Sequence, residues 1–415
     1  MRSFTEETNF FGNSDAEQLV REYGSPLYVY NENILRDRMR EMEGLIEDFP
    51  FTANYSIKAN SNLEILKIAL EMGLNADAMS PGEILLLQKA GYPAEKIFFI
   101  PNNVSPDEMR FAVERGIILS IDSLSQLETF GKNFPGGKCA VRLNPGVGAG
   151  HNEKVVTAGK KTKFGIAEED LPQIFEITKR YGLHIVGINQ HVGSQILDTK
   201  PILEAVKNFL RLSESFDELE FIDFGGGFGI PYHKLTDEAR FPLAEYKKEL
   251  AKVLSDYAAG RKNVPLFKTE PGRYICAEGG VLLGRVHAVK TNSGKKYAGT
   301  DIGMNDLIRP ELYDSWHDIE VIRNGKAVYG TETEEISVVG NICESGDIVA
   351  KERNLPKVEE GDIVCVLDAG AYGYSMSSNY NMRLRPAEVL VRADGSHCLI
   401  RRRDTYEDLL DRFWA

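Results

Sequence analysis

The chain has 415 residues, 42% of them hydrophobic and 27% charged, proportions of a folded protein too long for one typical domain. A formal charge of −13 speaks against a nucleic-acid partner, since neutralising phosphates needs a basic face, and the one basic run, Arg401 to Arg403, leads straight into Asp404, Glu407 and Asp408. Cys139, Cys276, Cys343, Cys365 and Cys398 have no paired spacing, and no apolar run suits a bilayer or a secretory signal; the expectation is a soluble cytoplasmic protein with reduced thiols, no metal and no membrane partner.

A β-like stretch at 26–30 opens the chain. From about residue 50 to 280, short apolar runs alternate with amphipathic stretches. Strands are expected over 54–57, 75–78, 97–100, 117–121, 140–143, 185–188, 221–224 and 266–269. Helices are expected over 63–72, from Pro81 onward, and over 171–181, 202–216 and 243–258. Eight strand–helix units over about 250 residues suit a (β/α)₈ barrel. An open doubly wound sheet, the rival, would usually show fewer strands and a Gly-rich turn opening directly into a helix. Past residue 280, β-like runs at 281–289, 320–322, 335–339, 363–367 and 389–391 are separated by Gly, Asn and Asp turns. The expected organisation is an α/β barrel over 32–278 plus an all-β domain, sandwich- or barrel-like, built from 1–31 and 279–415, with 26–30 joining its sheet.

In such a barrel the active site lies at the C-terminal ends of the strands. The first strand runs into Lys58-Ala59-Asn60, where partial desolvation would lower an amine's pKa and favour Schiff-base chemistry. The sixth runs into His191-Val192-Gly193-Ser194, a flat ring beside a hydroxyl. The seventh gives Gly225-Gly226-Gly227-Phe228-Gly229, whose backbone N–H groups can cradle an anion; the spacing and Pro231 do not fit a dinucleotide fingerprint. The eighth ends Glu270-Pro271-Gly272-Arg273. A carboxylate there can keep a pyridine nitrogen protonated, and an arginine offers a fork to phosphate or carboxylate. Each alone reads as ordinary turn chemistry. Their common position at strand ends argues against that reading for all of them together.

Three segments of the β-rich part stand out. Arg309 and Tyr313 share a face if their segment is helical. Cys343-Glu344 puts a thiol beside a carboxylate without metal-ligand spacing. Asp368 to Ser375 is a small-residue turn carrying Tyr372 and Tyr374.

Taken together, Lys58-Ala59-Asn60, His191 to Ser194, Gly225 to Gly229, Glu270 to Arg273, Cys343-Glu344 and Ala371-Tyr372 resemble the alanine-racemase-fold decarboxylases that use pyridoxal 5'-phosphate (PLP), and among them the diaminopimelate decarboxylases. The resemblance runs from about Ala16 to Val391. It implies that Lys58 holds PLP, His191 stacks on its ring and Glu270 pairs with the ring nitrogen. Ser194, Gly227, Gly272 and Arg273 would bind the phosphate, with Tyr372 near the phosphate or substrate and Asp77 supporting the Lys58 region. Arg273, Arg309, Tyr313, Glu344 and Tyr372 would bind substrate. Cys343 would return a proton to Cα, and Cys343 and Glu344 would reach the site of the other subunit in a homodimer. The implied reaction is decarboxylation of meso-diaminopimelate to L-lysine, because Arg309 and Tyr313 suit a distal carboxylate that ornithine and lysine lack. Decarboxylation of ornithine, D-ornithine, D-lysine or a carrier-linked glutamyl group, and a catalytically silent regulatory homologue, are the alternatives left open.

Overall fold

A computed structural model of the protein describes residues 3–144, 146, 149–150, 163–329 and 332–413. The chain divides into two units, one formed by Arg38–Ile230 and Arg240–Tyr274, the other by Met1–Asp37, Pro231–Ala239 and Ile275–Ala415.

The first unit is a closed barrel of eight parallel strands: Phe51–Ser56, Asn75–Ala78, Ile97–Phe99, Ile118–Ile121, Lys138–Arg142, His184–Asn189, Phe221–Asp223 and Leu266–Thr269. The last pairs with the first, Phe267 opposite Phe51, which closes the ring. Ile97–Phe99 and Ile118–Ile121 are near-continuous apolar runs, as strands covered by helices outside and side chains inside can be, whereas Asn75–Ala78 carries Asn75 and Asp77. Local signals place the helices. Ser80 accepts a hydrogen bond from the Glu83 N–H, Pro81 begins the helix Pro81–Ala90, and Gly91 ends it in the left-handed region. All eight expected strands are present, within a few residues of their expected bounds.

The second unit is built on a ten-stranded mixed sheet. Leu27–Asn31 lies inside it, parallel to Ala387–Val391 and antiparallel to the start of Gly280–Asn292. Leu27 and Val29 pack with Leu19, Val281, Leu283, Cys365 and Val389 in one core. Tyr28 and Tyr30 alternate with them; their hydroxyls donate to the Asp306 carbonyl and the Glu388 carboxylate, each at 2.7 Å. The sheet is larger than the apolar runs suggest. Lys295–Thr300 and Ile348–Pro356 are strands as well, and both carry exposed charged residues that hide the pattern of a core strand.

Candidate active site

The barrel unit gathers eight of the expected residues at the C-terminal ends of its strands. Lys58 follows Phe51–Ser56 by two residues and is partly exposed. Its charge acts on Asp77, Glu83, His191 and Glu270, which marks it as the electrostatic centre of this end of the barrel. Asp77, on the neighbouring strand, is fully buried; burial pushes its carboxyl up to about 7, with Lys58 acting in the opposite direction.

His191 accepts the Gly226 N–H on Nδ1 at 3.2 Å. That nitrogen therefore carries no proton. Burial first, then the charges of Lys58 and Arg142, hold the ring's pKa well below its ordinary value. The result is a neutral flat imidazole, suited to lie on an aromatic face.

The glycine run serves close packing as much as anion binding. A Cβ on Gly225, whose φ is +73°, would stand 2.1 Å from the Gln190 carbonyl oxygen; one on Gly226 would stand 2.2 Å from that of Glu270. The N–H groups of Gly225, Gly226 and Gly229 already donate to Asp223, His191 and Ile196. Commitment of these donors narrows the anion-cradle reading from the whole run to the N–H groups of Gly227 and Phe228.

Glu270 is buried at the end of the last strand, its own N–H given to the Gly225 carbonyl. Burial, then the charges of Asp223 and Asp77, push its carboxyl well above the usual range; Lys58 and Arg142 act the other way. Its Oε1 makes no hydrogen bond among the described residues, and neither do Arg142 Nη2 or the two side-chain polar atoms of Gln190. A buried carboxyl oxygen without a partner is costly, so this end of the barrel is built for a polar guest. Arg273 is also buried, with Nε and Nη2 at 3.3 and 3.0 Å from Ser194 Oγ, beside Gly272. A cation, a hydroxyl and a carboxyl with one open oxygen match a ring that carries both a basic nitrogen and a phosphate. The residues present fit PLP.

Sequence reasoning missed Arg142, Asn54, Gln190 and Asp223, all buried at this end of the barrel. Asn54 Nδ2 donates to Asp223 Oδ2 at 3.1 Å, and burial raises the Asp223 carboxyl to about 6. For Gln190 and Asp223 the available signal was the one that found Glu270, a polar residue at the end of an apolar run; Asn54 lies inside its strand.

The other five residues belong to the sheet unit. Arg309 and Tyr313 bound one short helix, Arg309–Tyr313, as their spacing suggested; Arg309 is buried, Tyr313 half-buried. Cys343 and Glu344 are exposed. The Cys343 N–H donates to Asn381 Oδ1 at 3.1 Å, and the Tyr380 hydroxyl donates to the Glu344 carboxylate. Tyr372 has φ +56°, left-handed, in the turn after Ile363–Val366. Among the described residues no group of three or more His, Cys, Asp or Glu could hold a metal ion, and no helix is long and apolar enough to cross a membrane.

Residues 33–277 match the family described as pyridoxal-dependent decarboxylase, pyridoxal binding domain. The chain is 41% identical to a diaminopimelate decarboxylase of Methanothermobacter thermautotrophicus, over 96% of this chain and 94% of that one. It is 38% identical to the enzyme of the same name from Archaeoglobus fulgidus, over 95% and 94%. The crystal structure of diaminopimelate decarboxylase from Helicobacter pylori complexed with L-lysine superposes with a TM-score of 0.87 at 31% identity, covering 96% of this chain and 98% of that chain.

Proposed function

This chain belongs to the diaminopimelate decarboxylases, a pyridoxal-dependent family, and from that membership we propose that it converts meso-2,6-diaminopimelate to L-lysine and CO₂. One observation carries the cofactor assignment: the buried Glu270 carboxyl, with Oε1 lacking a partner, at the same barrel end as Lys58 and His191. PLP, when bound, supplies an electron sink for the pair left at Cα as the carboxylate departs.

The chain's own groups do the rest. Lys58 Nζ anchors the cofactor, and the neutral His191 ring lies against it. Glu270 holds a proton at the ring nitrogen, a task for which a carboxyl already raised by burial is suited. Arg273, with Ser194, Gly227 and Gly272, binds the phosphate, while Asp77 opposes the charge of Lys58. Arg273 and Tyr372 also bind the substrate. Arg309 and Tyr313 bind the distal carboxylate, whose burial without a cation would be costly, and Glu344 binds the distal amine. Cys343 Sγ returns a proton to Cα. The exposure of Cys343 and Glu344 supports their serving the other subunit of a homodimer. Five free cysteines support a reducing, cytoplasmic setting.

The test is CO₂ release by the PLP-loaded protein from meso-diaminopimelate, beside L- and D-ornithine and L- and D-lysine. Preference for diaminopimelate that collapses in Arg309→Ala is the expected result. Preference for a diamine with one carboxylate would overturn the assignment of Arg309 and Tyr313 while leaving the Lys58 chemistry in place.

A further inference from the structure

Arg309 is 1% exposed, an unusual state for a guanidinium, and neighbours from its own unit fix it. Nη1 lies 2.7 Å from His317 Nε2, Nη2 lies 3.4 Å from Ser315 Oγ, and the guanidinium carbon sits 4.7 Å from the centre of the Tyr232 ring. His317 is fully buried. It meets Tyr232 edge-on, with centroids 5.3 Å apart, and its Nδ1 lies 2.7 Å from the Leu367 carbonyl oxygen.

Those two contacts determine the tautomer. A guanidinium can only donate and a carbonyl can only accept. Nδ1 must therefore carry the proton and Nε2 the lone pair, so the ring is neutral. The Leu367 peptide is itself tied down, its N–H donating to the Asp318 carbonyl at 2.9 Å. From there the chain runs through Asp368, at φ +57°, to Tyr372. One imidazole thus links the arginine to the backbone that leads into the Tyr372 turn.

We propose that His317 is a positioning residue for substrate selection: anchored on the Leu367 carbonyl, it holds the Arg309 guanidinium in one orientation for the carboxylate that survives the reaction. The inference rests on the assignment of Arg309 to that distal carboxylate. Its physical basis is preorganisation, since an arginine already immobilised has little rotamer freedom left to lose on binding. Lysine at position 317 would offer no acceptor, and a protonated ring would repel the guanidinium.

The chemistry of the product supplies the probe. L-Lysine keeps the carboxylate that decarboxylation leaves behind, whereas cadaverine has both amines and no carboxylate. Equilibrium affinities of the PLP-loaded enzyme for the two, followed by the cofactor's visible absorbance, separate carboxylate recognition from everything else. The variants are His317→Asn, which can keep the donor to Leu367 but falls short of Arg309; His317→Gln, whose carboxamide oxygen can replace Nε2; and Arg309→Met. The expected result is that His317→Asn weakens L-lysine about tenfold or more while cadaverine stays within about twofold, and that His317→Gln recovers most of the loss. Wild-type lysine affinity in His317→Asn, or equal loss of lysine and cadaverine, would overturn the proposal. Should His317→Asn fail to fold, His317→Gln decides alone: near-wild-type lysine affinity upholds the proposal, and affinity no better than Arg309→Met overturns it. If Arg309→Met leaves lysine binding unchanged, the distal-carboxylate reading fails. If Arg309→Met loses lysine and His317→Asn does not, only the role of His317 fails.

Discussion

Glu270 shows how burial becomes chemistry at the scale of one residue. Its carboxyl is raised well above the usual range by desolvation and by the charges of Asp223 and Asp77. With PLP bound, a carboxyl raised in this way would keep a basic ring nitrogen protonated, and its open Oε1 would gain a partner. Glu270→Gln keeps the shape and cannot transfer the proton. The expected outcome is a fall in kcat of about a hundredfold or more, with PLP still bound. Steady-state kinetics alongside the visible spectrum check it, and an unchanged kcat would remove the role. Glu270, Lys58, His191 and Arg273 were legible in the sequence because each ends or closely follows a strong apolar run. Arg142 was not, since a single cation closing a run reads as the usual solvated end. His317 was hidden for another reason. Between Trp316 and Asp318 it looks like turn chemistry, and its value comes from Arg309 and Leu367, which only the fold brings to it.

Strand legibility follows what each strand buries. The barrel strands carry dense apolar runs because helices and the barrel interior cover both faces. Lys295–Thr300 and Ile348–Pro356 escaped notice because their exposed positions hold lysine, glutamate and asparagine, and Arg353 takes a buried one. Within the barrel, register depends on one small residue. Gly187 pairs with Phe221 on the next strand, and the Phe221 ring lies directly over it; a Cβ at 187 would come within 2.2 Å of that ring. Phe221 also packs edge-on to Phe98, centroids 5.1 Å apart, so it has little freedom to retreat. Gly187→Ala should therefore destabilise the barrel by about 1–3 kcal/mol, the usual cost of overpacking a filled core. Denaturant midpoints at unchanged slope measure it. A neutral result would mean that the ring relocates without strain.

For the whole molecule, buried carboxyls set a pH dependence of stability. Asp306 is raised from its ordinary 3.8 to about 7, chiefly by burial. Between those values the folded chain keeps a proton that the unfolded chain has lost. Its contribution to stability is complete below the lower value and disappears as pH rises through the upper one. Asp306→Asn cannot ionise, and the Asn305 amide, whose Oδ1 lacks a partner among the described residues, can turn to meet it. The variant's lead in melting temperature over the wild type should grow from pH 5 to pH 8 by the equivalent of about 1–3 kcal/mol. Parallel curves would show that Asp306 does not titrate in this range. Assembly has a test of its own. If Cys343 serves the partner's site, mixing two inactive variants, Lys58→Ala and Cys343→Ala, should restore about a quarter of wild-type activity through hybrid dimers with one intact site. No recovery in verified hybrids would place the thiol in its own subunit's site.

The position of Leu27–Asn31 bears on how the protein is made. That segment is translated before the barrel, yet both strands that flank it, Gly280–Asn292 and Ala387–Val391, are translated only after the entire barrel. Until then an apolar strand with two open edges waits in the cell, and it is a ready template for aggregation. A nascent chain stalled just past residue 278 would hold a complete set of barrel strands and an orphaned N-terminal strand. Chaperone binding during synthesis should concentrate on such intermediates and end only when the last third of the chain arrives to claim that strand.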